Sequence, residues 1–188
     1  MIKIISGKHK GRMIPTDSVA RYRPSTGKFR EALFSILSSG EYGAKNILQN
    51  AEMLDLYCGT GSLSFEALSR GVPSVTLVDT EELYLNKARI FAEKIGEAAN
   101  VNILRCSAIN LPRANKQYNL IVMDPPYGKN LVGKTLKSLV AGGWIDDAAL
   151  IAIETESREN FALEQNMEIL LVKKYGNTNL SLVEYVKS

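Results

Sequence analysis

From Met53 onward, short apolar runs alternate with stretches of helical periodicity, and this alternation restricts the chain more than any other feature. Residues 53–58, 75–79, 101–106, 119–123 and 149–153 have the length and apolar content of strands buried on both faces. Between and after them, residues 63–70, 81–95, 131–140 and 158–164 read as helices, punctuated by Gly71, Gly96 and the pair Gly142-Gly143. Repeated strand–helix units close as a parallel sheet with helices on both faces, so the expected class is α/β. Residues 167–173 and 179–186 flank Gly176-Asn177 and predict a terminal hairpin, which adds an antiparallel strand. Open sheets of this class bind ligands at the carboxyl ends of their strands. The residues that end each apolar run are therefore the first candidates for a site.

The fourth run ends in Asp124-Pro125-Pro126-Tyr127-Gly128. Neither proline has an N–H, so no helix or ladder continues through them. A carboxylate, fixed carbonyls and a flat ring are thereby collected at one strand end. Such a group suits an exocyclic amine on a nucleobase, whose lone pair is delocalised into the ring. Asp124 and the Pro125 carbonyl can each accept one N–H, and Tyr127 offers a stacking face, a contact of about 1–3 kcal/mol in single-strand binding. The base must leave its own stack to enter.

The first run ends in Asp55-Leu56-Tyr57-Cys58-Gly59-Thr60-Gly61, a strand, a tight turn and a helix start. Glycines there let the backbone approach a ligand closely. Asp79 ends the next run, 18 residues past Gly61, close to the spacing of an acid that accepts ribose hydroxyls. Ser64 stands where a dinucleotide fingerprint has its third glycine. That substitution speaks against a pyrophosphate on the helix N-terminus, and Asp55 suits a ligand carrying an amino group. S-adenosylmethionine is favoured over NAD on these grounds. Ser107 and Ala108, after the third run, are candidates for the adenine of such a cofactor. Glu154 and Glu156, after the fifth, read as solvated charges.

Charge is unevenly distributed. Residues 1–30 carry Lys3, Lys8, Lys10, Arg12, Arg21, Arg23, Lys28 and Arg30 against Asp17 alone, while the whole chain of 188 residues is only +3. A basic leader on a mildly acidic body points to a polyanion. Two apolar pieces around Gly7-Lys8-His9-Lys10 predict a hairpin or extended arm whose tip carries Lys8, His9, Lys10 and Arg12 toward phosphates. Phe29, Ala32, Leu33, Ile36 and Leu37 form one helical face, with Ser25 or Thr26 as its cap and Lys28 and Arg30 off that face. Gly40, Gly43 and Asn50 mark a linker into the body.

Cys58 and Cys106 are too far apart for a CxxC pair, and His9 is the single histidine, so no zinc pattern can be written and no metal is expected. The cysteines read as reduced, in a cytoplasmic protein. The opening apolar run is only Ile4-Ile5, so no signal peptide is expected, and no stretch approaches the roughly 20 apolar residues of a membrane helix.

With these residues placed, the chain resembles the RsmD-type 16S rRNA guanine-N2 methyltransferases of bacteria. The likeness spans nearly the whole length. It rests on Ile4-Ile5-Ser6-Gly7 with Lys10-Gly11-Arg12, and on Arg23-Pro24-Ser25-Thr26 with Arg30-Glu31-Ala32-Leu33-Phe34. It rests further on 54–61 with Glu66-Ala67-Leu68-Ser69-Arg70-Gly71, and on Asp124-Pro125-Pro126-Tyr127. The resemblance implies a Rossmann-like S-adenosylmethionine-dependent fold, a mostly parallel seven-stranded sheet with a C-terminal antiparallel hairpin. It implies an RNA-binding extension over 1–45 and a methyltransferase domain over 46–188. Asp55, Tyr57, Gly59, Gly61, Asp79, Ser107 and Ala108 would line the cofactor site. Asp124, Pro125, Pro126 and Tyr127 would hold guanine N2 of small-subunit rRNA. Lys8, Lys10, Arg12, Arg23, Lys28 and Arg30 would grip the RNA, with the protein acting as a monomer on assembling particles. Gly27 stands where the family has an acid, Ser35 where it has Asn, Ser107 where it has Asp or Asn, and Asp79 where Glu is commoner. The alternatives are an amino methyltransferase acting on adenine N6 or on other RNA or DNA, and a non-catalytic RNA-binding assembly factor.

Overall fold

A computed structural model describes residues 1–16, 27–42 and 46–187. Seven strands form one sheet in the order β5-β4-β3-β6-β7-β9-β8. Strands β3 (Glu52–Leu56), β4 (Ser74–Asp79), β5 (Val101–Arg105), β6 (Tyr118–Met123) and β7 (Ile145–Glu156) run parallel to one another. β8 (Met167–Tyr175) and β9 (Thr178–Tyr185) form the antiparallel hairpin, with β9 against β7. The chain moves outward from β3 through β4 to β5, then returns to β6 on the other side of β3. That reversal opens a crevice at the carboxyl ends of β3 and β6.

The central strands are buried almost throughout because both faces are covered. On one face lie α1 (Gly27–Ser39), α3 (Ser62–Ser69), α4 (Glu82–Lys94) and the short α2 (Ile47–Asn50), which stands where a plain linker was expected. Ile4 and Ile14 of the N-terminal arm join that same apolar cluster, beside Phe29, Leu33, Phe65 and Phe91. The other face is closed by α5 (Val132–Gly142), whose Val132, Leu136 and Leu139 pack with Trp144 on Leu54, Ile121 and Ile151. Tyr118 stacks on Trp144 with ring centroids 5.7 Å apart, and its hydroxyl donates to Thr76 Oγ1. No helix among the described residues is long and apolar enough to cross a membrane.

Residues 158–164 are not helical, contrary to expectation. Phe161 and Leu163 both pack against the α5 side of the core, and side chains two apart share a face only in extended chain. The arm forms the expected hairpin, β1 (Ile2–Lys3) with β2 (Met13–Ile14). Arg30 departs from its predicted place off the apolar face of α1. It is 4% exposed, and its Nη2 donates to the Lys3 carbonyl at 3.2 Å. Lys28 is exposed, while Arg23, Ser25, Thr26 and Gly43 lie outside the described residues.

Candidate active site

Asp55 is the last but one residue of β3 and is buried. Its Oδ2 accepts from Ser64 Oγ at 2.6 Å and from Ser64 N at 3.2 Å, which ties the strand to the first turn of α3. Ser64 thus fills the space of a third glycine with a hydroxyl that serves the carboxylate. Burial pushes the Asp55 carboxyl up to about 7. The two Ser64 hydrogen bonds oppose that rise, and the nearby charges of Asp124 and Asp79 add to it.

The turn between β3 and α3 needs its glycines. Gly61 has φ +82°, and a Cβ there would stand 2.8 Å from the Phe65 ring and 2.9 Å from Leu77. Gly59 also has positive φ, and its N–H donates to Asp79 Oδ2 at 2.8 Å. Asp79 Oδ1 accepts from Glu81 N at 3.0 Å. Asp79 therefore orders the turn while keeping further lone pairs on both oxygens for ligand hydroxyls. Tyr57 holds φ +63°, a region that costs an aromatic residue of order 1–3 kcal/mol and marks functional strand ends. Thr135 spends its proton on the Leu131 carbonyl, so the Tyr57 hydroxyl donates to Thr135 Oγ1, at 2.6 Å. That bond joins the end of β3 to α5.

Across the crevice, Leu56 pairs with Met123, so Asp124 stands level with Tyr57. Asp124 and Pro125 are buried, Pro126 is exposed and Tyr127 half-buried. Met123 pairs with Ile153 on the far side, which sets Glu154 beside Asp124. Glu154 is 1% exposed and its Oε1 accepts from the Tyr127 hydroxyl at 3.1 Å. The reading of Glu154 as a solvated charge is thus corrected: it is a buried carboxylate at the site, whereas Glu156 is exposed. A charged residue directly after an apolar run, at the strand end where ligands bind, was the available signal. Ser107 is half-buried at the end of β5, and Ala108 is buried at the start of a short 3-10 turn (Ala108–Asn110).

The fold therefore collects Asp55, Tyr57, Gly59, Gly61, Asp79, Ser107, Ala108 and 124–127 at one sheet edge, and adds Glu154. It does not bring the basic arm there. α3 descends from that edge, and its lower end holds the arm. Lys8 N donates to the Ser69 carbonyl at 2.8 Å, and Glu66 accepts from Ile5 N at 2.7 Å and Ser6 N at 3.0 Å. Lys8 Nζ and His9 Nε2 lie 2.6 and 2.5 Å from Glu97 Oε1, just before β5 begins. Lys10 and Arg12 are exposed at that same amino edge, roughly 12 Å of helix away from the glycine turn.

The family described as conserved hypothetical protein 95 has a model that matches residues 2–184. The chain belongs to it, the RsmD family. An uncharacterized methylase of Rickettsia prowazekii is 35% identical, covering 98% of each chain. The ribosomal RNA small subunit methyltransferase D of Escherichia coli is 31% identical over 82% of this chain and 75% of its own. A candidate methyltransferase of Escherichia coli with a solved structure superposes with a TM-score of 0.84 at 25% identity, covering 100% of this chain and 99% of its own. The fold is that of the S-adenosylmethionine-dependent methyltransferases. The residues present fit that donor. Asp79 retains acceptors for ribose hydroxyls, Gly61 leaves its turn clear, and Asp55 is a buried carboxyl that a cationic amino group would ionise.

Proposed function

We propose that this protein transfers a methyl group from S-adenosylmethionine to the exocyclic N2 of a guanine in small-subunit rRNA. The observation that carries this reading is the placement of Asp124-Pro125-Pro126-Tyr127 across the β3–β6 crevice from the Asp55–Gly61 turn. The donor supplies a methyl carbon made electrophilic by its sulfonium. Asp124 and the Pro125 carbonyl take the two amine hydrogens and aim the nitrogen lone pair out of the base plane. As the C–N bond forms, the bond from methyl to sulfur would break and its electron pair return to sulfur, leaving a neutral thioether; the amine becomes cationic and loses one proton, for which the Asp124 carboxylate is the adjacent acceptor. Tyr127, steadied by its bond to Glu154, supports the base.

A carboxyl at Glu154, level with Asp124 on the neighbouring strand, supports guanine over adenine. Next to its amine, guanine presents an N1–H that a carboxylate accepts, whereas adenine presents a lone pair that a carboxylate repels. The relatives named small-subunit rRNA methyltransferases support the same substrate class.

Labelled-methyl transfer to small subunits, naked 16S rRNA, large-subunit RNA and DNA, followed by nucleoside analysis, tests the reading. N2-methylguanosine confined to small-subunit RNA is expected, and N6-methyladenosine as the product would overturn it. Asp124→Ala is expected to lower kcat/KM by at least about a hundredfold while donor affinity stays within about twofold. Near-normal turnover in that variant would remove the carboxylate from the mechanism.

A further inference from the structure

The exposed face of α5 carries a second basic surface, and it lies closer to the crevice than the arm does. From Arg105 to Ile145 the chain holds six basic residues and a single acid, Asp124 itself. Two of the six are engaged: Arg105 Nη1 lies 2.7 Å from Glu82, and Lys116 Nζ 2.8 Å from Glu52. The other four, Arg113, Lys129, Lys134 and Lys137, are exposed, and none has a carboxylate partner among the described residues. Lys134 and Lys137 are three apart on α5 and share a face. With Arg113, Asn110 and Ser138 they line a groove of about 450 Å³ between α5 and the chain that follows Ser107.

This groove is built into the fold. Leu111 N donates to Ser138 Oγ at 2.8 Å and Ala114 N to the Gly142 carbonyl at 2.9 Å, which fixes its two walls to each other. Gly142 has no room for a side chain, since a Cβ would meet the Trp144 ring at 2.6 Å. One end of the groove abuts the site on both sides. Its first wall starts directly after Ser107 and Ala108, and its second follows the loop that carries Asp124, Tyr127 and Lys129. The arm offers no such continuity, because Lys8 is held by Glu97 at the amino edge and on the other face of the sheet.

We infer that the α5 groove binds the RNA phosphate backbone flanking the target base, with Arg113, Lys134 and Lys137 as its phosphate contacts. The inference rests on the rRNA reading above for the identity of the strand. Cations without carboxylate partners among the described residues, facing a cleft without acids, can neutralise the phosphates of a polyanion and release its counterions. Their contacts position the strand and carry no base sequence.

The test compares the full chain with a triple variant, Arg113→Gln, Lys134→Gln and Lys137→Gln, using a small-subunit rRNA fragment at several salt concentrations. A control pair, Lys173→Gln and Lys174→Gln, removes charge from the β8 edge far from the crevice. The triple variant is expected to weaken RNA binding by at least about tenfold and to reduce the slope of log affinity against log salt by about 2, near 0.7 per lost single-strand contact. Donor affinity and the thermal melt are expected to stay unchanged. An unaltered slope, or an equal loss in the control pair, would overturn the inference. Normal RNA binding by the parent protein without any methyl transfer would instead defeat the activity reading and leave the groove in place.

Discussion

Asp55 is the buried carboxyl that ties β3 to α3 through Ser64. Its carboxyl is raised to about 7 chiefly by burial, against about 3.9 for an exposed aspartate. The folded state therefore holds a proton that the unfolded chain has already released between those two values. Stability must fall as pH rises through that window and level off above it, by up to about 1.4 kcal/mol per pH unit. Asp55→Asn keeps an acceptor for Ser64 without the charge. Thermal melts of the variant are expected to be flatter than the parent's between pH 5 and 7.5, and to lie higher at pH 8. Parallel curves would show that Asp55 does not carry this dependence. The same substitution is expected to weaken S-adenosylmethionine binding, since it removes the charge offered to the amino group. Glu154 makes the complementary point. Its position after an apolar run was visible, but its burial follows from β7 continuing to Glu156 between β6 and β9.

At the level of elements, the glycine turn has little freedom. Gly61→Ala must accommodate both a left-handed backbone and a Cβ inside contact distance of Phe65 and Leu77. A loss of about 2–4 kcal/mol is expected, together with loss of donor binding. Gly71 is the proper comparison: it too has positive φ, at +106°, but nothing stands within 4 Å of its Cβ position. Gly71→Ala is expected to cost no more than about half as much, with donor affinity intact. Urea melts and equilibrium binding of both variants check the difference. The strands and helices around this turn follow from periodicity and from where the glycines fall. The segment 158–164 does not, because its charged residues mimic a helix pattern while Phe161 and Leu163 anchor it as extended chain.

For the whole molecule, the question is what joins the basic arm to the sheet. Glu66 is fully buried on α3, accepting from the backbone of Ile5 and Ser6 and from Arg70 Nε at 2.8 Å. Gly7 touches the Ser69 backbone so closely that no side chain fits between them. Glu66→Gln turns one acceptor into a donor facing an N–H. A loss of about 2–4 kcal/mol is expected, along with faster trypsin cleavage at Lys8, Lys10 and Arg12. Cleavage at the parent rate would mean that the arm is held by its apolar residues alone. Ile4 and Ile14 contribute to that hold from inside the main core.

Local sequence pattern is enough for the parallel sheet, the glycine turn, the acids at the ends of β3 and β4, and the Asp124-Pro125-Pro126-Tyr127 stretch after β6. Each of these follows from local pattern: apolar run length, glycine placement and proline chemistry act within a few residues. Which charges lie inside follows from packing between distant parts of the chain. It set Glu154 beside Asp124, turned Arg30 inward, gave Lys8 and His9 to Glu97, and left the α5 lysines facing a cleft without acids. The physical reason is separation along the chain. Glu97 meets His9 from 88 residues away and Glu66 meets Ile5 from 61, so packing of whole elements settles whether a charge is solvated, paired or buried.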